Sequence, residues 1–194
     1  MNRTREQLME AVKAQMPERR WQHTLGVMET AVKLAKQYGA DPAKADMAAI
    51  LHDVCKFWPV EKQAETVRLN PELPQDMLDY DKELWHAPAA VAVARDEYGV
   101  TDPEVLDAIL YHTSGRERMT QLDKIVCLAD YIEPGRDFPN VHKIREIAEY
   151  SVEKALVAGF DSTISFLLQQ GKRIYPLTVL ARNGLLIEIK STGG

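Results

Sequence analysis

The chain has 194 residues and a formal net charge of −5, with 45% hydrophobic and 27% charged residues, an ordinary globular balance with room for one substantial core. An acidic chain lacks the clustered positive charge that tracks a phosphate backbone, and no apolar run reaches membrane-spanning length, so neither nucleic acid nor a membrane is an expected partner. The polar start Asn2-Arg3-Thr4-Arg5-Glu6-Gln7 makes no secretory leader, which leaves the cytoplasm as the expected location.

In chain order the pattern predicts helices over 4–15, 17–38, 42–57, 60–69, 87–98, 103–113, 121–133, 141–170 and 176–187. Pro17 and Gly39 bracket the second, and the pairs Asp41-Pro42 and Asp102-Pro103 each supply an N-cap acceptor followed by a first-turn proline. Segments 70–82 and 134–140, rich in proline and acidic residues, read as loops. Leu185-Leu186-Ile187-Glu188-Ile189 has some β character but fits the end of the last helix equally well. The expectation is an all-α fold, one domain over 1–190 with a flexible tail at 191–194. The two cysteines, Cys55 and Cys127, read as small buried thiols.

Stepping ~100° per residue along 42–57, Met47, Leu51, Val54 and Trp58 share one stripe, while His52, Asp53 and Lys56 share the opposite face with Ala45 and Ala49. Small residues beside ionisable ones suggest a pocket wall rather than a solvated face. His23 borders the apolar arc of 17–38, His112 lies on the stripe of Val105 and Ile109, and Asp130 is flanked by Val126 and Ala129. A carboxylate in such surroundings needs a cation or several donors. Taken singly, each of these residues has a plain structural role. As a set, with His86, they read as a metal site. Imidazole and carboxylate without thiolate suit divalent iron, manganese, nickel or zinc, as one or two ions.

The order H…HD…H…H…D resembles the HD-domain superfamily of metal-dependent phosphohydrolases. The blocks Arg20-Trp21-Gln22-His23-Thr24, Leu51-His52-Asp53-Val54-Cys55-Lys56, Leu84-Trp85-His86-Ala87, Tyr111-His112-Thr113-Ser114-Gly115 and Leu128-Ala129-Asp130-Tyr131-Ile132-Glu133-Pro134-Gly135-Arg136 are similar to those of the bacterial YqeK proteins. That family cleaves diadenosine tetraphosphate symmetrically to two ADP, so the resemblance implies an HD-type helical bundle with that activity. By the same resemblance His23, His52, Asp53 and Asp130 would hold the principal metal, iron in this family. His86 and His112 would ligate a second metal or contact phosphate. Lys56, Thr113, Ser114 and Arg136 would bind the polyphosphate, and Ile174 and Tyr175 would lie by the nucleoside, Tyr175 stacking on adenine. The expected chemistry is attack of a metal-activated hydroxide on an inner phosphorus, with Asp53, Lys56, His86 and His112 in catalytic roles. Two alternatives stand beside it: another HD phosphohydrolase acting on nucleotides or dNTPs, and a nucleotide sensor without turnover. A homodimer is considered, with no residues pointing to its interface.

Overall fold

The computed structural model describes residues 3–192, and among these every regular element is helical. Ten α-helices follow in order: α1 Arg5–Lys13, α2 Glu18–Tyr38, α3 Pro42–Leu51, α4 Val60–Arg68, α5 His86–Asp96, α6 Pro103–Tyr111, α7 Gln121–Ile132, α8 Val141–Ala148, α9 Val152–Gln169 and α10 Pro176–Thr192. Local chemistry fixes most starts. Asp41 accepts from the amides of Ala43 and Lys44, Asp102 from that of Glu104, and Thr120 forms a capping box with Asp123. Gly39 ends α2 at φ 75°, a left-handed cap that glycine adopts without steric cost.

Three expectations need correction. The predicted helix 141–170 is two helices, because Ser151 takes an extended conformation and its hydroxyl caps Lys154, starting α9 afresh. The helix from Pro42 stops at Leu51, and residues 52–57 continue as turns held by i→i+3 bonds such as Val54 N to Leu51 O at 3.1 Å. The last helix, expected to stop at 187, runs on through Ser191 and Thr192, so half of the expected tail is helix and Leu185–Ile189 takes the helical of its two readings. Gly193 and Gly194 lie outside the described residues.

α7 sits at the centre, packed against α2, α3, α6, α8 and α9. Ile125, Leu128, Leu156, Phe160, Ile109 and Ile50 are buried around it. α5, sequence HAPAAVAVARD, is apolar on nearly every side and buried through its first nine residues, as an all-round hydrophobic helix must be. Its alanines keep it thin, which lets His86 at its first position approach the ends of α3 and α6. No helix is long and apolar enough to cross a membrane among the described residues.

Candidate metal centre and its cleft

Five helices deliver one or two side chains each to a single point. His23 projects from the second turn of α2, and His52 and Asp53 follow α3 directly. His86 opens α5, His112 caps the C-terminus of α6, and Asp130 lies near the end of α7. His52 Nε2 lies 3.0 Å from Asp53 Oδ2 and 3.9 Å from Asp130 Oδ1. His23 Nε2 lies 2.9 Å from Asp130 Oδ1 and 3.7 Å from Asp53 Oδ2. His86 Nε2 is 3.1 Å, and His112 Nε2 3.9 Å, from Asp53 Oδ1. His23, His52 and Asp130 form one triad with cation-binding spacing, and His52, Asp53 and His112 a second that shares His52.

The outer ring nitrogens decide what faces inward. His52 Nδ1 donates to the carbonyl of Ala49 and His112 Nδ1 to that of Ile109, both at 2.7 Å. His23 Nδ1 donates to Glu133 Oε1 at 2.9 Å. In the neutral rings this leaves three Nε2 lone pairs aimed at the carboxylates. Correspondingly, His23 Nε2, His52 Nε2 and Asp53 Oδ1 are buried without a well-aligned hydrogen bond. Lone pairs turned toward anionic oxygens repel unless something positive lies among them. The His52 pKa reflects that field: burial pushes it down, but Asp53 and Asp130 outweigh burial and raise it. A divalent cation answers the same field, and an N/O donor set of this kind fits one. Asp53 is opposed by its own burial, yet His52, His86 and Arg20 hold it well below the usual carboxylate range.

His86 differs from the other three. Its Nδ1 faces the Lys56 ammonium at 3.4 Å, a group that can only donate, so Nε2 carries the proton. That N–H points at the lone pair of His112 Nε2 at 3.2 Å, with Asp53 Oδ1 close by but out of line with it. His86 therefore presents a donor where the other histidines present acceptors. Lys56 also pairs with Glu83 at 2.8 Å, Arg136 pairs with Asp130, and Arg20 pairs with Asp53.

The centre opens into a cleft of about 850 Å³ whose wall includes Lys56, His112, Thr113, Asp130, Arg136 and Tyr175. Thr113 lines it with a buried hydroxyl that has no partner, a group poised for a ligand oxygen. Three of the expected substrate contacts do not reach it in the expected way. Ser114 is fully buried and donates to the carbonyl of Gly115. Ile174 lies between the wall residues Arg173 and Tyr175 without lining the cleft itself. Tyr175 is only 3% exposed, its ring packed edge-on against Tyr80 and its hydroxyl 3.3 Å from Asp76, so it has no open face for adenine.

Sequence reasoning passed over Glu133. Its buried carboxylate holds His23 through one oxygen and the amide of Gly135, at 2.6 Å, through the other. A Cβ on Gly26 would come within 2.6 Å of that second oxygen, so the glycine on α2 makes room for the acid. Arg145 fixes the same turn by donating to the carbonyls of Ile132, Glu133 and Arg136 at 2.9, 2.7 and 2.9 Å. The signal for Glu133 was present as an acid beside the Pro134-Gly135 turn, but its partner lies 110 residues away.

Comparison with known proteins agrees with this geometry. The HD domain family matches residues 20–135, which span every side chain of the centre. The chain is 44% identical over 182 residues to a symmetrical bis(5'-nucleosyl)-tetraphosphatase from Bacillus subtilis (strain 168), covering 94% of this chain and 97% of that protein. A protein of the same description from Halalkalibacterium halodurans is 46% identical over the same shares. Among solved structures, a predicted HD superfamily hydrolase from Clostridium acetobutylicum, described as involved in NAD metabolism, superposes with a TM-score of 0.91 at 37% identity. That match covers 97% of this chain and 100% of the other.

Proposed function

The chain belongs to the HD-domain family and, within it, to the symmetrical bis(5'-nucleosyl)-tetraphosphatases, and from that premise we propose that it hydrolyses diadenosine tetraphosphate to two ADP in this cleft. The observation that carries the reading is the convergence of His23, His52, Asp53 and Asp130, with two unaligned imidazole Nε2 atoms among them, at the inner edge of a cleft bearing Lys56 and Arg136. In this reading the four residues hold a divalent metal, with iron preferred and manganese, nickel or zinc as alternatives. Such an ion lowers the pKa of its water and offsets charge on the phosphoryl oxygens.

The remaining work falls to the chain's own groups. His86, with its proton on Nε2, is a hydrogen-bond donor toward phosphate rather than a ligand for a second ion. Lys56 fixes that tautomer through Nδ1 and adds positive charge at the cleft wall. His112 is pushed down to about 3 by burial and by the neighbouring His52 and His86, so it stays neutral and keeps its Nε2 lone pair inside the centre. Arg136 neutralises Asp130 and can turn toward a bound phosphate, and Thr113 donates to a phosphate oxygen. Residues 1–190 act as one phosphohydrolase unit in this reading, which also includes a cytoplasmic location, no nucleic-acid or membrane partner, and a homodimer as the assembly.

The test is anaerobic purification with metal analysis, then chromatography of the products from diadenosine tetraphosphate. ADP as the sole nucleotide product supports the proposal. Inorganic phosphate or tripolyphosphate as a product assigns the chain to a different phosphohydrolase reaction, and binding without turnover assigns it to a sensor.

A further inference from the structure

We propose that the α8–α9 end of the cleft is the subsite for the second nucleoside of the dinucleotide, with Phe138 and Phe166 as its aromatic walls and Lys143 as its phosphate contact. The proposal rests on the hydrolase reading above. Symmetric cleavage leaves ADP on both sides of the scissile bond, so two like halves must be seated on either side of the metal-binding side chains. Two groups of elements build the cleft wall. One is formed by the turn at 81–84, which packs on α5, and by the strap 172–175. Lys172 pairs with Asp81 there, and Arg173 stacks over Tyr80. The other, the α8–α9 end, is the start of α8 together with α9 residues between Ala158 and Gln169, and α8 packs on α7 and α9.

Three features of that second end suit a nucleotide. Phe166 is a large apolar side chain left 55% exposed on the cleft wall, and Phe138 lines the same wall with its ring edge-on to Tyr131. An exposed ring such as that of Phe166 accepts any base through stacking. Lys143 is a cation without an acidic partner among the described residues, whereas Lys56, Arg136 and Lys172, on the same cleft, are each paired with a carboxylate. On the same wall α9 offers Ser162 and Ser165, short hydroxyls suited to ribose. The cleft volume of about 850 Å³ is near the upper end of the range for small-ligand sites, room for a dinucleotide rather than a single nucleotide.

The experiment uses the metal-loaded enzyme and two ligands, diadenosine tetraphosphate as substrate and adenosine 5'-tetraphosphate, which lacks the second nucleoside, as competitive inhibitor. Phe166 is exposed, so Phe166→Ala is expected to fold normally. It should raise KM for the dinucleotide about tenfold, the order expected for one base–aromatic stack, and leave the inhibition constant of the mononucleotide within about twofold. Lys143→Ala should weaken the dinucleotide as well. An unchanged KM in Phe166→Ala, or an equal loss for both ligands, overturns the subsite while leaving the hydrolase reading intact. If the wild-type enzyme releases no ADP, the hydrolase reading itself falls and the subsite falls with it.

Discussion

Oε1 of Glu133 sits 2.9 Å from Nδ1 of His23, and the pair is enclosed by Gly26 on one side and the Gly135 amide on the other. A carboxylate behind a ligating imidazole fixes its tautomer and orientation, and losing such a partner typically weakens metal binding by about 10–100-fold. Glu133→Gln should therefore lower manganese affinity by that order while the metal-free protein keeps its helical circular dichroism. Gly26→Ala leaves every charge in place but intrudes on the carboxylate, and it should move affinity in the same direction. Calorimetric titration of the metal-free variants checks both, and wild-type affinity in Glu133→Gln would refute the assignment.

Asp53 is the residue on which the whole centre turns, since Arg20, His52 and His86 all direct polar atoms at it. In the proposed reading Asp53→Ala removes a metal ligand and leaves the half-buried Arg20 without its carboxylate, so metal retention and turnover should both disappear. Metal content after gel filtration and ADP release measure the two losses. Full activity in this variant would remove Asp53 from the mechanism.

Much of this was legible because the helix punctuation and the chemistry share residues. Asp41-Pro42 and Asp102-Pro103 mark the starts of α3 and α6, and His52 and His112 follow the ends of those same helices. The break at Ser151 was missed because apolar residues of helical spacing run across it, and only the hydroxyl cap separates α8 from α9. Pairings across the chain were beyond reach: nothing in the sequence ties Arg20 to Asp53, 33 residues further on, and the fold joins them. Tyr175 shows the same limit, since the family resemblance makes it a stacking partner for adenine, whereas in the fold Tyr80 and Asp76 occupy it.

Acid should weaken the metal-free protein through His112. An unfolded histidine takes its proton near pH 6.5, whereas burial and the neighbouring His52 and His86 hold folded His112 at about 3. Between those values the unfolded chain binds more protons, so stability falls as the pH drops through the window and is fully present above it. At pH 5 the loss from this one group is about 2 kcal/mol. His86 is shifted in the same direction and His52 in the opposite one, so the comparison must isolate His112. Urea unfolding at pH 7 and pH 5 should show the wild type losing about 2 kcal/mol more than His112→Gln. Equal pH dependence of the two proteins would contradict a neutral, buried His112.

Gly184 should prove far less replaceable than Gly39, for reasons that separate steric from conformational cost. A Cβ on Gly184 would lie 2.0 Å from the carbonyl oxygen of Glu117, backbone that cannot swing aside, so α10 and the turn after α6 would have to move apart. A Cβ on Gly39 meets nothing within 4 Å, and its cost comes only from the left-handed φ of 75°. Gly39→Ala should then cost about 1 kcal/mol, and Gly184→Ala about 1–3 kcal/mol or more, a fall of several degrees in Tm for a chain of this length. Only Ser114, Gly115 and Arg116 separate Glu117 from Thr113 in the chain, so displacing that turn should also raise KM for the polyphosphate substrate, which Gly39→Ala should leave unchanged. Thermal unfolding and steady-state kinetics on the two variants test this, and equal behaviour would mean that the α10 contact does not hold the cleft wall.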